Sequence, residues 1–406
     1  MSTSPIMSNI YQEFGVRTII NARSYSTKLG GCSLPNSVLR AMTEAANSCV
    51  LIEDLQEAAG RVIAEVTGAE TGIVTSGASA ALTLAAAACL TGLDVSKMNN
   101  LPDTSRMNNE IICHRAHRND YDHALRLAGA KFIEAGFGYY TFAHDVEMAI
   151  NPQTVALFYL AGHQGSALPL EDFVDIAHRR GLPVIVDAAA ALPPAENLKA
   201  FIAAGADLVA FSGGKHIRGP QATGILCGRR DLILAASLQH QDMDVFPETW
   251  PRRNLMGGGK LKGPPHHGIG RGFKVGKEEI AGLMMALKLY PQRDFAAERA
   301  HWMHDMQTIT SGLSAIRGIS AQLIFPQDDG STVPSAQIQI APATVGLSAW
   351  DLINRLQEGD PAIAVFEKLA PERIVVLYPE GLRQGEATVV VRRLQEILHG
   401  NRMKAL

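Results

Sequence analysis

The sequence predicts an α/β fold, with a mainly parallel sheet in a large domain and a smaller α+β domain at the C-terminus. Three observations carry this expectation. Short apolar runs recur at residues 71–75, 110–113, 131–134, 155–160, 183–187, 207–211 and 224–227. Stretches of helical spacing separate several of them, such as 170–180 and 197–204. The runs are continuously apolar rather than alternating, as in strands buried on both faces.

In chain order, residues 8–14 read as a short helix, 16–20 follow, and Gly30-Gly31 lies in a turn. Residues 1–35 therefore form an N-terminal arm. Residues 36–48 form a helix, with Asn36 or Ser37 as its cap. Within 54–67, Leu55, Ala58, Ala59, Val62 and Val66 recur at helical spacing. Residues 71–75 are a buried strand, Ser76-Gly-Ala-Ser79 turns the chain, and 80–93 make an apolar core helix too short to span a bilayer. Residues 96–106 are polar and predict a surface loop. Residues 239–265, rich in Pro, Gly, Met and Trp, form the longest irregular stretch, and such stretches in compact domains are usually functional or mobile. A long helix over 276–289 closes the large domain, 36–290. The small domain, 291–406, is expected to hold strands at 322–325, 336–340 and 373–377 and helices at 349–357 and 386–399.

Composition narrows the function classes. Hydrophobic residues make up 47% and charged residues 19% of the 406, enough to bury a sizeable core. A net charge of −3 lacks the basic footprint of a nucleic-acid binder. Five cysteines without a C-x-x-C pair suit buried free thiols in a reducing compartment. Residues 1–9 have neither a basic n-region nor an apolar h-region. A cytoplasmic protein without a membrane or nucleic-acid partner is expected.

The chemistry gathers at strand ends, where open α/β sheets bind their ligands. Lys215 follows the run 207–211 through Ser212-Gly-Gly. A partly desolvated lysine loses its proton more readily and can form a Schiff base, here with pyridoxal phosphate. Asp187 ends another run among alanines; a buried carboxylate needs a cation or a donor, and a protonated pyridinium nitrogen would serve. Ser76, Gly77, Ala78 and Ser79 stand between strand and helix, where free N–H groups suit a phosphate. His117 and Arg118 follow a third strand, as candidates to stack on the cofactor ring and to pair with a carboxylate. His163 and Gln164 follow a fourth, within reach of cofactor or substrate. Arg271, Lys274 and Lys277 crowd a helix start, which favours an anionic ligand. The spacing around Lys215 fails the nucleotide P-loop, and His114 and His117 lack the further ligands of a metal site, so no metal is expected.

The words around these residues carry a resemblance. Ser212-Gly-Gly-Lys-His-Ile-Arg-Gly-Pro-Gln-Ala-Thr-Gly224 resembles the lysine loop of the selenocysteine synthase (seryl-tRNA selenium transferase) family, and is closer to its smaller D-glucosaminate-6-phosphate ammonia-lyase-type members. Ile20-Asn-Ala-Arg23, Leu29-Gly-Gly31, Leu55-Gln-Glu-Ala-Ala-Gly60, Thr75-Ser-Gly-Ala-Ser79, His117-Arg-Asn-Asp-Tyr-Asp-His123, Gly272-Phe-Lys-Val-Gly-Lys277 and Leu356-Gln-Glu-Gly-Asp-Pro361 extend the likeness over nearly the whole chain. The resemblance implies a fold-type I, aspartate aminotransferase-like enzyme with pyridoxal 5'-phosphate. Lys215 would be its Schiff-base lysine, Asp187 its pyridinium partner, and Ser76–Ser79 with Ser212 its phosphate site. Arg271 and Lys274 stand where the transferases carry anion-binding arginines. Gly214 replaces their Asp, Phe366 stands near one of their arginines, and their N-terminal tRNA-binding domain is missing.

The expected reaction is α,β-elimination on a small polar amino acid or amino sugar acid, releasing a 2-oxo acid and ammonia, with His117 or His163 protonating the leaving hydroxyl. A racemase or aldolase would use the same lysine. A selenium-transferase-like enzyme and a silent cofactor-binding scaffold are the remaining readings. Fold-type I sites are completed by a second subunit, so the resemblance also implies at least a homodimer.

Overall fold

The computed structural model describes residues 10–31, 33–138, 140–162, 167–327 and 331–402. Among them are twelve strands: β1 (Ile19–Ala22), β2 (Thr71–Thr75), β3 (Glu110–His114), β4 (Lys131–Ala135), β5 (Thr154–Leu160), β6 (Val184–Asp187), β7 (Leu208–Ser212), β8 (Gly224–Gly228), β9 (Ile319–Ile324), β10 (Ser335–Ile340), β11 (Ala362–Val365) and β12 (Ile374–Leu377). The chain gathers into two compact units, one running from Ser33 to Arg293, the other joining the described N-terminal residues to the chain from Asp294 onward.

The larger unit is built on a seven-stranded sheet in the order β2-β8-β7-β6-β5-β3-β4. The pairs β3–β4, β3–β5, β5–β6 and β6–β7 are parallel, while β8 runs antiparallel to both β7 and β2. All seven strands foreseen from the sequence are present, and β3, β6 and β8 are buried along their length. The helix Ala78–Thr91 is apolar all round and sits in the core with Ile111, Phe158, Ile185, Leu208 and Leu226. Asp207, just before β7, ties together the end of the sheet opposite Lys215. Its carboxylate accepts from the Val184 N–H at 2.8 Å and pairs with His178 Nε2 at 2.8 Å and Arg229 at 3.0 Å.

The outer edge of β2 is closed by a side chain. Gln56 donates to the Val74 carbonyl and accepts from the Val74 N–H, both at 2.9 Å, in place of a neighbouring strand. Four residues on, a Cβ at Gly60 would stand 2.7 Å from the Gly72 carbonyl, so the helix Ile52–Thr67 lies directly on β2. Both requirements fall within the word Leu55-Gln-Glu-Ala-Ala-Gly60.

The smaller unit holds a three-stranded antiparallel sheet, β12-β10-β9, and a parallel pair, β1–β11. Arg17 donates to the carbonyls of Gln357, Glu358 and Gly359 at 2.6, 3.1 and 3.3 Å, closing the C-terminus of the helix Ala349–Glu358. Asn21 donates to Ser24 and Gly31 and accepts from the Arg23 N–H. Arg23 pairs with Glu367 at 2.8 Å, and its guanidinium lies 5.9 Å from the centre of the Phe366 ring.

Several local expectations are corrected. A helix, Val95–Asn100, occupies part of the foreseen loop 96–106, because Asp94 caps it by accepting from the Ser96 and Lys97 N–H groups. The helix Asn36–Ala46 has Pro35 at its N-cap, and neither Asn36 nor Ser37 caps it. Strand β11 was not foreseen; four residues after Gly-Asp-Pro are too few for a periodic signal, and β1 supplies the partner. Cysteines Cys49, Cys89, Cys113 and Cys227 are free thiols, but Cys49 is exposed rather than buried. No helix among the described residues is long and apolar enough to cross a membrane.

Replacing Gln56 by Leu strands the Val74 N–H and carbonyl at a buried edge. The expected loss is about 2 kcal/mol or more in urea unfolding. A loss below about 0.5 kcal/mol would show that the edge does not depend on this side chain.

Candidate active site

The site is built where strands of the large sheet end. Asp187 is the last residue of β6 and is 6% exposed; Lys215 lies three residues past the end of the adjacent strand β7. Asp187 accepts from the Ala189 N–H at 2.9 Å. Burial pushes its carboxyl upward, and the Lys215 cation works against that shift. Burial likewise pushes the Lys215 amine down, and Asp187 opposes the change. Each group is thus short of the solvation its charged form needs, and each lies within electrostatic range of the other.

The loop that carries Lys215 is fixed by close packing. Gly213 donates to the Thr223 carbonyl at 2.9 Å, Gly219 to the Gly213 carbonyl at 2.8 Å, and Arg218 to the Lys215 carbonyl at 2.9 Å. The left-handed residue here is Arg218, at φ 59°; Gly213 and Gly214 are not left-handed. They are needed for space instead. A Cβ at Gly213 would stand 2.3 Å from Thr223 Oγ1, and one at Gly214 2.6 Å from Gln221 Cα. The aspartate that the transferases carry at this position has no room against Gln221 in this loop.

The turn after β2 ends in Gly77, at φ 118°, which is the N-cap of the helix Ala78–Thr91. Neither Ser76 nor Ser79 caps the helix, so the N–H groups of its first turn face the open end. A Cβ at Gly224, at the start of β8, would stand 2.3 Å from the Gly77 carbonyl carbon. That close approach sets the turn beside the end of β7, where Ser212 pairs with Gly224.

His117 ends a short 3-10 turn after β3 and is fully buried. Its Nδ1 accepts from the Leu160 N–H at 3.2 Å, which places the proton of the neutral ring on Nε2. His114 and Tyr159 pack edge-on against it, each with ring centres 4.6 Å away. The two imidazoles therefore brace one another rather than converge on a shared point. Burial lowers the His114 pKa to about 4. Arg118 binds Asp122 and Glu134, and its guanidinium lies 5.0 Å from the centre of the Phe132 ring. The carboxylates it pairs with are the protein's own. His163 and Gln164 lie outside the described residues.

Arg271 and Lys274 are brought together in a pocket of about 310 Å³ that the sequence did not outline. Arg252, from the long irregular stretch 239–265, is a third cation in its wall. Arg252 donates to Ser237 Oγ at 2.7 Å; burial lowers its pKa, against the pull of Glu53 and Glu57. Arg271 pairs with Asp242 at 2.9 Å. No motif marked Arg252: it is far in sequence from Arg271, and only folding of 239–265 brings it in.

A buried amine and a buried carboxylate at neighbouring strand ends, beside a helix N-terminus and an imidazole, fit pyridoxal phosphate. The amine meets an aldehyde, the carboxylate a ring nitrogen, and the helix end a phosphate. Fold and site thus define a fold-type I pyridoxal-phosphate enzyme. More particularly, the chain belongs to the aminotransferase class-V family, whose model matches residues 36–347. D-glucosaminate-6-phosphate ammonia lyase of Salmonella typhimurium (strain 14028s / SGSC 2262) is 34% identical over 96% of this chain and 98% of its own. A solved structure of a D-glucosaminate-6-phosphate ammonia-lyase superposes with a TM-score of 0.82 at 33% identity, covering 98% of this chain and all 100% of that one. A 5'-C-glycyluridine monooxygenase-decarboxylase of Streptomyces sp is 33% identical over 96% of this chain and 92% of its own. The L-seryl-tRNA(Sec) selenium transferase of Moorella thermoacetica is 25% identical over 97% of this chain and 85% of its own. Pyridoxal phosphate is the cofactor of this enzyme.

His114 yields a prediction in acid. Its folded pKa, about 4, lies below the ordinary 6.5, so the unfolded chain binds the extra proton first as pH falls. This contribution is complete above pH ~6.5 and is lost toward pH ~4, roughly 3 kcal/mol in all. Urea unfolding of His114→Phe across this range is expected to be flatter than that of the wild type. Equal slopes would remove His114 as the cause.

Proposed function

We propose that the protein is an ammonia-lyase acting on an amino sugar acid, with Lys215 as the residue that holds the cofactor covalently. The carrying observation is the desolvated Asp187–Lys215 pair at adjacent strand ends. The full-length similarity to D-glucosaminate-6-phosphate ammonia lyase supports the substrate class. Asp187 would hold the proton on the ring nitrogen, and Ser76, Gly77, Ala78, Ser79 and Ser212 the phosphate. Bound there, the cofactor supplies an electron sink for the charge left next to the substrate amine.

The chain's own residues then have distinct tasks. Lys215, its amine pKa lowered by burial, takes the proton from the carbon bearing the amine. His117 gives its Nε2 proton to the departing β-hydroxyl, since Nδ1 is engaged by Leu160. The product enamine takes up water and yields a 2-oxo acid and ammonia. Arg252, Arg271 and Lys274 bind an anionic group at the far end of the substrate. The similarity to a D-glucosaminate-6-phosphate ammonia lyase supports a phosphate as that group.

A homodimer in the cytoplasm completes the reading. Val50, Leu51 and Ile52 are 51, 59 and 41% exposed at the rim of the cationic pocket, an apolar run that a second copy would cover. The free, dispersed cysteines suit a reducing compartment.

Incubation with D-glucosaminate 6-phosphate should release ammonia and a 2-oxo acid in equal amounts. Carbon dioxide in place of ammonia would favour chemistry like that of the decarboxylase relative, and α-deuterium exchange alone would favour a racemase. Lys215→Ala should abolish turnover and the cofactor band that borohydride bleaches. A reducible band in Lys215→Ala would transfer the attachment to another lysine.

Arg252→Met and Lys274→Met should each raise KM for the phosphorylated substrate about tenfold or more, with a smaller change for its unphosphorylated analogue. Equal effects on both substrates would place the far-end group elsewhere.

A further inference from the structure

The residue after Lys215 is held by its ring and by its carbonyl. His216 is 1% exposed, and its Nδ1 lies 2.9 Å from the Tyr290 hydroxyl. Its carbonyl accepts from Arg293 Nη1 at 2.5 Å. The Arg293 guanidinium in turn lies 5.2 Å from the centre of the Tyr290 ring, and the His216 and Tyr290 rings meet edge-on at 5.7 Å. Arg293 thus holds the His216 backbone carbonyl while Tyr290 holds its ring. The Lys215 carbonyl is tied separately, by the Arg218 N–H.

These contacts reach the loop through one helix. Tyr290 and Arg293 directly follow the helix Lys277–Leu289, in and just past the turn Tyr290–Gln292. Leu283 of that helix fills the space over the loop: a Cβ at Gly213 or Gly219 would meet it at 2.7 or 2.9 Å. Gly282 lies similarly against Pro220. A lysine side chain has four rotatable bonds and loses much entropy when its amine is held in one place. Fixing the backbone on its C-terminal side removes part of that freedom in advance.

Resting on the reading of Lys215 given above, we propose that Tyr290 and Arg293 are positioning residues. They act through His216 to hold the Lys215 amine at its working place beside Asp187. His216 serves as a neutral strut. Burial and the nearby Arg293 and Arg218 cations keep it unprotonated, with a pKa of about 2. A charged imidazole there would put a third cation against those two arginines. The groups acting on the amine itself are Asp187, which favours its charge, and the burial that opposes it.

The test uses the cofactor-loaded full chain and three variants. Tyr290→Phe removes one oxygen and keeps the ring; Arg293→Met removes the donor to the His216 carbonyl; Arg293→Lys restores a cation without the fork. The pH midpoint of the borohydride-reducible cofactor band is titrated in each, beside kcat, KM and the thermal midpoint. The expected result for Tyr290→Phe and Arg293→Met is a band midpoint moved by about half a unit or more, and kcat lowered about tenfold with KM within about twofold. Arg293→Lys should recover part of both. A lowered thermal midpoint with an unmoved band midpoint and unchanged kcat would mean that the cluster only stabilises the fold, and would overturn the proposal. Should Arg293→Met fail to fold, Tyr290→Phe decides alone by the same readouts. A wild-type protein without any reducible band would overturn both this proposal and the assignment of Lys215 on which it rests.

Discussion

Two groups that each lose solvation by being buried stand at the ends of adjacent strands, and much of the larger unit serves to hold them there. Burial drives Asp187 toward its protonated form and Lys215 toward its neutral one, and each partly restores the charge of the other. Such a pair is costly for stability, because desolvation of both ions offsets most of their attraction. It is suited to chemistry for the same reason. A neutral amine is a nucleophile and a base, and a buried carboxylate binds a cation strongly.

The surrounding packing keeps this pair from relaxing. Glycine at 213 and 214 lets the return segment through Thr223 and Gln221 pass within side-chain distance of the loop. Gly224 touches Gly77, so the lysine loop and the proposed phosphate turn are set against one another by backbone contact. Gln56 closes the edge strand that leads into that turn. Asp207 does the same at the opposite end of β7, joining β6, a helix and Arg229. None of these residues does chemistry; they fix the strand ends on which chemistry depends.

Charge is distributed by role. Arg118, at the surface, pairs with the buried Asp122 and the exposed Glu134, both of them the protein's own carboxylates. Arg23 lies against Glu367 and the Phe366 ring in the smaller unit. Arg252, Arg271 and Lys274 share a pocket in which Asp242 and Glu53 offset part of the charge. Lys274 offers a point charge rather than the planar fork of an arginine, so it would ask less exact geometry of an anion bound there. The relatives matched over nearly the full chain include enzymes named for elimination, for oxidation with decarboxylation, and for selenium transfer. Relatives named for several reactions thus share similarity over most of this chain.

Much of this was legible in the sequence because it is local. The seven strands of the large sheet appear as apolar runs, and Lys215, Asp187 and Ser76–Ser79 each stand where a run stops. The lysine loop is one continuous word, so its family could be read without knowing its shape. What the sequence left unread depends on contacts between distant segments. Gln56 meets Val74 eighteen residues later. His216 meets Tyr290 seventy-four residues later. Arg252 joins Arg271 only when an irregular stretch folds back, and β11 exists because β1 lies beside it. The reason is physical. Strand burial and helix periodicity are set by neighbours in the chain, whereas a hydrogen bond, an ion pair or a shared pocket is set by neighbours in space. Local pattern in the sequence specified the kind of fold and marked candidate residues at the strand ends; the tertiary structure decided which distant side chains hold those residues in place.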